Sequence, residues 1–331
     1  MRKFQKLIAD VGEFILKDYE TNFIIIGENT SGKSEAILKT IEECLKMDSS
    51  DIYFIDSVNR SFHLELVGDS SERKQYNYNE IRKMRMGKQV FNKRDTYGTG
   101  NIESIYWMHE KRLKEMILDF FGLVIDVKSA METDTPIAIP PKIEIIKAGK
   151  SFSEEGALNL NIPNGMQAGM RIFLELLFFE SSIKENLEEK KQIVFIEELD
   201  SFLSENYSSR IFNFINEQFS NFKFIVTTHS RDLVLHAENV TVIGIKDEEF
   251  EIVESGDNYM LDAQELFAEI FHKEQVDFFT NDDKVDRQLR ILLNRKINGS
   301  WDMNDNEELL KLKNNNLLPH HKFLVDEIED W

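Results

Sequence analysis

The sequence predicts an α/β domain built on a mainly parallel sheet, and three observations carry that expectation. Short apolar runs recur at Phe23–Ile26, Ile52–Ile55, Ile193–Ile196 and Phe224–Thr227, the mark of strands covered on both faces. Most of these runs lead into a segment of helical periodicity, as crossover connections require. The first run enters a glycine-bearing turn, Gly27-Glu28-Asn29-Thr30-Ser31-Gly32-Lys33-Ser34, that opens directly into a helix over 33–46.

The remaining elements follow in order. Residues 102–121 place Ile105, Met108, Leu113, Met116, Ile117 and Phe120 at helical spacing, so 76–124 reads as a mainly helical insertion. Thr135-Pro136 and Pro140-Pro141 interrupt the chain before a strand at 142–147. A helix over about 166–187 is apolar almost all round, which predicts burial, and Asn164 is suited to be its N-cap. Segments 240–245 and 251–253 read as a closing hairpin. From 256 onward the pattern is helical and acidic, with Trp301 and Trp331 as apolar anchors. The predicted division is therefore a head over 1–255 and a helical appendage over 256–331, suited to binding a partner.

Composition narrows the class. Hydrophobic residues at 41% and charged residues at 30% suit a soluble globular chain of 331 residues. No apolar stretch is long enough to span a membrane, and the N-terminus has no signal-like apolar run. Cys44 is the single cysteine, which excludes an internal disulfide and reads as a small buried hydrophobe. These features fit the cytoplasm. A net charge of −20 argues against a generic nucleic-acid binder, yet residues 73–94 hold eight Lys or Arg against the single acid Glu80. That run reads either as a solvated face or as a patch for phosphate or a partner.

The turn 27–34 has the spacing of a phosphate cradle. Gly27 and Gly32 let the backbone curl so that amides point inward, and the helix start adds a positive dipole end. Lys33 suits the β- and γ-phosphates of a nucleotide, and the Ser34 hydroxyl suits Mg²⁺, a pattern open to a kinase, a GTPase or a motor as well. Downstream, Gln192–Glu198 is an apolar strand ending in two carboxylates. Glu197 suits the Mg²⁺ hydration shell and Glu198 suits polarisation of an attacking water. His229 closes the strand Phe224–Thr227, at the sheet edge where ligands gather. Asn164-Gly165 opens a helix whose free amides favour an anion.

Taken together, GENTSGKS, NGMQ, IEELD and TTHS resemble the phosphate loop, signature, acidic strand end and histidine switch of ABC-class ATPases, in the RecF, SMC and OLD branch that includes small bacterial anti-phage ATPases. The resemblance implies an ABC-ATPase head. It implies that Gly27, Glu28, Asn29, Thr30, Ser31, Gly32, Lys33, Ser34 and Glu35 bind nucleotide, that Glu198 polarises water and that His229 senses the γ-phosphate. It also implies that Asn164 and Gly165 contact ATP held by a second copy, giving a homodimer or higher oligomer, and that Asp200 and Ser201 lie in the dimer-contacting loop.

Three positions depart from the family. Glu197 stands where Asp is usual, Asn164 replaces the signature serine, and no glutamine follows the second strand, where Asn59 or Arg60 stands instead. The interval from Gly165 to Glu197 is longer than in transport ATPases, which points away from a transporter subunit. Three expectations follow. The chain is an ATP-gated switch for a separate effector such as an anti-phage nuclease, a DNA-repair ATPase gripping DNA through 73–94, or a scaffold that holds ATP without turnover. The residues after 256 are too few for a Toprim nuclease, and Asp282, Asp283 and Asp286 read as the first turn of a helix.

Overall fold

The computed structural model describes residues 3–18, 20–47, 50–63, 67, 102–128, 142–147, 150–151, 162–184, 191–256 and 258–271, and towards the C-terminus 285, 288–289, 292–293, 295–296, 301, 303–313, 317 and 319–330. The basic run 73–94 and the Asp282–Asp286 cluster lie outside the described residues. The chain divides into two compact units, Met1–Phe271 and His272–Trp331.

The first unit opens on helix α1 (Lys3–Lys17), which the sequence reading did not separate out. Its buried Leu7, Ile8, Val11 and Ile15 recur every three to four residues, the spacing of one helical face. Strand β1 (Asn22–Gly27) follows, then α2 (Lys33–Met47) and β2 (Ser50–Ile55). A 3₁₀ turn at Ile102–Ile105 leads into α3 (Tyr106–Phe121), which stops at Gly122 in the left-handed region at φ 67°. Met108, expected on the buried face of this helix, is exposed, while Leu113, Met116, Ile117 and Phe120 are buried as expected. A small antiparallel sheet comprises β3 (Val124–Lys128), β4 (Lys142–Lys147) and β5 (Lys150–Ser151).

Helix α4 (Asn164–Lys184) is the 21-residue element expected to be buried. Ile172, Phe173, Leu174, Leu176, Leu177, Phe178 and Phe179 are all sealed from solvent. Each such side chain contributes about 1.5–3 kcal/mol relative to exposure. The chain continues through β6 (Lys191–Ile196), α5 (Glu205–Gln218), β7 (Phe222–Thr227), α6 (Arg231–His236), β8 (Val240–Lys246), β9 (Glu249–Val253) and α7 (Tyr259–Phe271). The main sheet runs β2-β6-β7-β1-β8-β9, parallel throughout except for the β8–β9 hairpin. That hairpin turns through Asp247 and Glu248 at φ 49° and 62°, and Glu249 and Glu251 are exposed on its outer strand.

The expected boundary at 255/256 falls instead after Phe271. The reason is α7: its Ala263, Leu266, Phe267 and Ile270 belong to the same core as α4 and the sheet. The second unit contains α8 (Met303–Lys313) and α9 (Pro319–Asp330). Leu309, Leu312, Leu324, Val325 and Ile328 form its core with Leu289 and Leu292, and Trp301 packs against it beneath the Lys296 ammonium. Among the described residues no helix is long and apolar enough to cross a membrane.

Candidate nucleotide site

Strands β1, β6 and β7 are adjacent and parallel, so their C-terminal ends lie along one edge of the sheet. Each delivers one of the sequence-predicted groups there: the turn 27–34 after β1, Glu197-Glu198 after β6 and His229 after β7. The proximity is electrostatic as well as topological. Lys33 feels the charges of Glu198 and Glu197, and His229 feels Lys33, Glu198 and Asp200.

The turn itself corrects one expectation. Gly32 adopts φ 108°, a conformation that disfavours any side chain, and a Cβ there would also sit 2.8 Å from Ile8 and 2.9 Å from Phe4 of α1. Gly27 is not in the left-handed region. It is needed because a Cβ would lie 2.9 Å from the carbonyl oxygen of Ile245 on β8 and would meet the Ser31 hydroxyl. The second positive φ in the turn belongs to Thr30, at 68°. Asn29, Thr30 and Glu35 are exposed, and Glu28, Ser31 and Ser34 are half-buried.

Lys33 is buried, and its Nζ donates to the carbonyl oxygens of Gly27 (2.7 Å) and Glu28 (3.0 Å). Burial lowers its pKa from the usual 10.5, while Glu198, Glu197 and Glu35 oppose that shift. The Ser31 hydroxyl is buried without a hydrogen-bond partner.

Glu197 is 2% exposed. Its Oε1 has no hydrogen-bond partner, and its Oε2 lies 3.5 Å from the Ser57 hydroxyl. A carboxylate so enclosed is under-satisfied unless a cation or an ordered water completes it. Glu198 is more open. It sits at φ 45°, its N–H donates to Thr227 Oγ1 at 2.9 Å, and its carboxylate accepts from the Ser201 hydroxyl at 3.0 Å. Asp200 is held by the Thr228 hydroxyl, and burial raises its pKa above the usual carboxylate value. Asp200 and Ser201, expected to reach a second copy, thus have their side chains engaged within their own chain. The sequence reading assigns no role to the two threonines of TTHS. Their signal was present, since Thr227-Thr228 ends a strand at the ligand-bearing edge.

The His229 ring packs edge-on against Phe271 at 5.8 Å. Burial, then the Lys33 charge, lowers its pKa below the usual 6.5, with Glu198 and Asp200 acting the other way. A proton therefore binds the unfolded chain first, and the native state loses stability as pH falls below 6.5. An NMR titration of the nucleotide-free protein is expected to place the His229 midpoint below 6.5, and binding of a phosphate anion to raise it. A midpoint at or above 6.5 in the free protein would contradict this environment.

Asn164 is not the N-cap. Pro163 takes that place, its carbonyl accepting from the Met166 and Gln167 amides at 2.9 and 3.0 Å, and Asn164 is the first helical residue. Asn164 is exposed. A Cβ on Gly165 would lie 2.8 Å from the carbonyl oxygen of Phe202, so this glycine permits the loop after Glu198 to close against the helix start. Gln167 fastens the same end: its Nε2 donates to Ile162 O (2.6 Å) and its Oε1 accepts from Phe62 N–H (3.2 Å).

Of the two candidates after β2, Asn59 is turned onto Asp56, with its Nδ2 2.9 Å from Asp56 Oδ2. Arg60 points inward and donates to the carbonyl oxygen of Glu197. Among the described residues no group of three or more His, Cys, Asp or Glu is placed to hold a metal unaided.

No family model and no curated protein matches the chain. Solved structures similar to it include an SMC head bound to the C-winged helix domain of ScpA, at 14% identity over 73% of this chain and 92% of that one, with a TM-score of 0.36. A nucleotide-free ATP-binding cassette from an ABC transporter is 13% identical over 77% of this chain and 89% of that one, with a TM-score of 0.39. A structure from work on ATP-driven dimerization and DNA-stimulated activation of SMC ATPases is 17% identical over 53% of this chain and 99% of that one, with a TM-score of 0.32. At these values the likeness adds nothing to what the chain's own residues say.

Proposed function

We propose that the chain is an ABC-class ATPase in which ATP bound to the turn 27–34 is hydrolysed beside Glu198, with closure by a second copy. One observation carries the reading. Three adjacent strand ends converge on a single edge and deliver a glycine turn with a buried lysine, a carboxylate pair and a histidine.

The chemistry follows from the placement. The turn's amides and Lys33 exchange contacts with the chain's own carbonyls for contacts with the β- and γ-phosphates. Glu198 accepts a hydrogen bond from a water on the far side of the γ-phosphorus. The water oxygen forms a bond to phosphorus as the bond to the β–γ bridging oxygen breaks, giving ADP and phosphate, and the released proton passes towards Glu198. His229 can donate one N–H to the γ-phosphate. Glu197, through its enclosed Oε1, and the Ser34 hydroxyl would hold Mg²⁺ and its waters, and the ion would neutralise phosphate charge.

Asn164, exposed, and Gly165, half-buried, sit at the positive end of a long helix, suited to cap the γ-phosphate of a facing copy. The further reading, that closure gates a separate effector such as an anti-phage nuclease through the C-terminal unit, rests on the motif resemblance. The test uses the intact chain with Mg²⁺ and ATP. Phosphate release and a nucleotide-dependent rise in mass by light scattering are expected, and the absence of both would remove the reading.

A further inference from the structure

We infer that Arg60 is a positioning residue for the acid pair, holding the Glu197–Glu198 turn from behind so that the Glu198 carboxylate faces the water it polarises. This rests on the ATPase reading above.

The local sequence explains how an arginine comes to lie there. Asp56 closes a tight turn after β2, its Oδ1 accepting from the amides of Val58 (3.0 Å) and Asn59 (2.8 Å). The turn directs the next side chain inward, and Arg60 is only 3% exposed. Its Nη2 donates to the carbonyl oxygen of Glu197 and lies 3.5 Å from that of Glu198. At the preceding peptide, the Glu197 amide donates to Ile55 O at 3.0 Å. One short segment, 55–60, thus grips the acid pair through its backbone.

What it grips is a conformation that needs holding. Glu198 lies at φ 45°, a region that is costly for a residue with a side chain and persists only where the surroundings impose it. Thr227 restrains its amide, the Ser201 hydroxyl its carboxylate and the Ser201 amide its carbonyl (2.9 Å), while the carbonyl of Glu197, the peptide that leads into it, accepts from Arg60. The arrangement is expensive as packing alone. Arg60 Nε and Nη1 are buried without hydrogen-bond partners, and an apolar side chain of similar volume would avoid that penalty. A cation directed at two consecutive carbonyl dipoles is explained by what it orients.

The test is single-turnover hydrolysis and ATP affinity for the intact protein with Arg60→Met and Arg60→Lys, each alone and combined with Glu198→Gln. Arg60→Met is expected to slow turnover by at least about tenfold with affinity changed by less than about twofold. Arg60→Lys should recover part of the rate, since an ammonium can still donate to the carbonyls. In the Glu198→Gln background neither change should slow the residual rate further, because the group being positioned is gone. Losses that multiply in the double variants, or a fall in affinity that accounts for the rate, would overturn the proposal. If Arg60→Met does not fold, the Arg60→Lys comparison decides by the same criteria. A wild-type chain that neither binds nor hydrolyses ATP overturns the nucleotide reading and this proposal with it. Wild-type turnover with multiplying losses overturns this proposal alone.

Discussion

Lys33→Ala removes nucleotide binding and leaves the fold standing. The Lys33 ammonium donates to two carbonyl oxygens of its own turn, so the positive charge is already held at the mouth of the loop before a ligand arrives. Bound phosphates would take over those donors, and hydrogen bonds to charged groups contribute about 1.5–3 kcal/mol each. Losing even one or two of them corresponds to a fall in affinity of about 100-fold, given about 1.4 kcal/mol per factor of ten. The rest of α2 stays anchored by Ala36, Ile37, Ile41 and Cys44, all buried beneath the sheet, so the circular dichroism spectrum should be unchanged. Isothermal titration with ATP measures the effect, and an undiminished affinity would take the phosphate loop out of the account.

Glu198→Gln has the opposite signature: the nucleotide stays and the chemistry stops. The amide oxygen of glutamine can still accept from the Ser201 hydroxyl, and the backbone contact to Thr227 is untouched, so the turn keeps its geometry. What is lost is the negative charge that draws a proton from water, a contribution typically of about 10²–10⁴-fold in rate. With release blocked, a copy loaded with ATP and closed on its partner should accumulate, and light scattering should show twice the mass at saturating ATP. A variant that hydrolyses at the wild-type rate would dismiss Glu198 as the base. One that binds ATP and remains monomeric would dismiss the shared site.

Much of this was legible in the chain, and the reasons differ by element. The central strands could be read because a strand buried on both faces must be apolar at every position, and Phe23–Ile26 and Ile193–Ile196 are. The glycine turn could be read because its spacing is dictated by the shape of a phosphate. Helix α1 carries an ordinary amphipathic pattern in Leu7, Ile8, Val11 and Ile15, so it too is legible in the chain. The cap at Asn164 is not legible in side-chain type, because the backbone carbonyl of Pro163 does the capping. Arg60 could not be assigned from the sequence. Its partners lie 137 and 138 positions away and are backbone carbonyls, which carry no mark of residue type.

The outer strand of the β8–β9 hairpin bears on how copies can join. Any strand adding itself to β9 would lie within about 5 Å of Glu249 and Glu251, and an identical strand would bring its own carboxylates against them. Like charges at that spacing repel, so on this flank the protein resists the edge-to-edge growth that turns open sheets into fibrils.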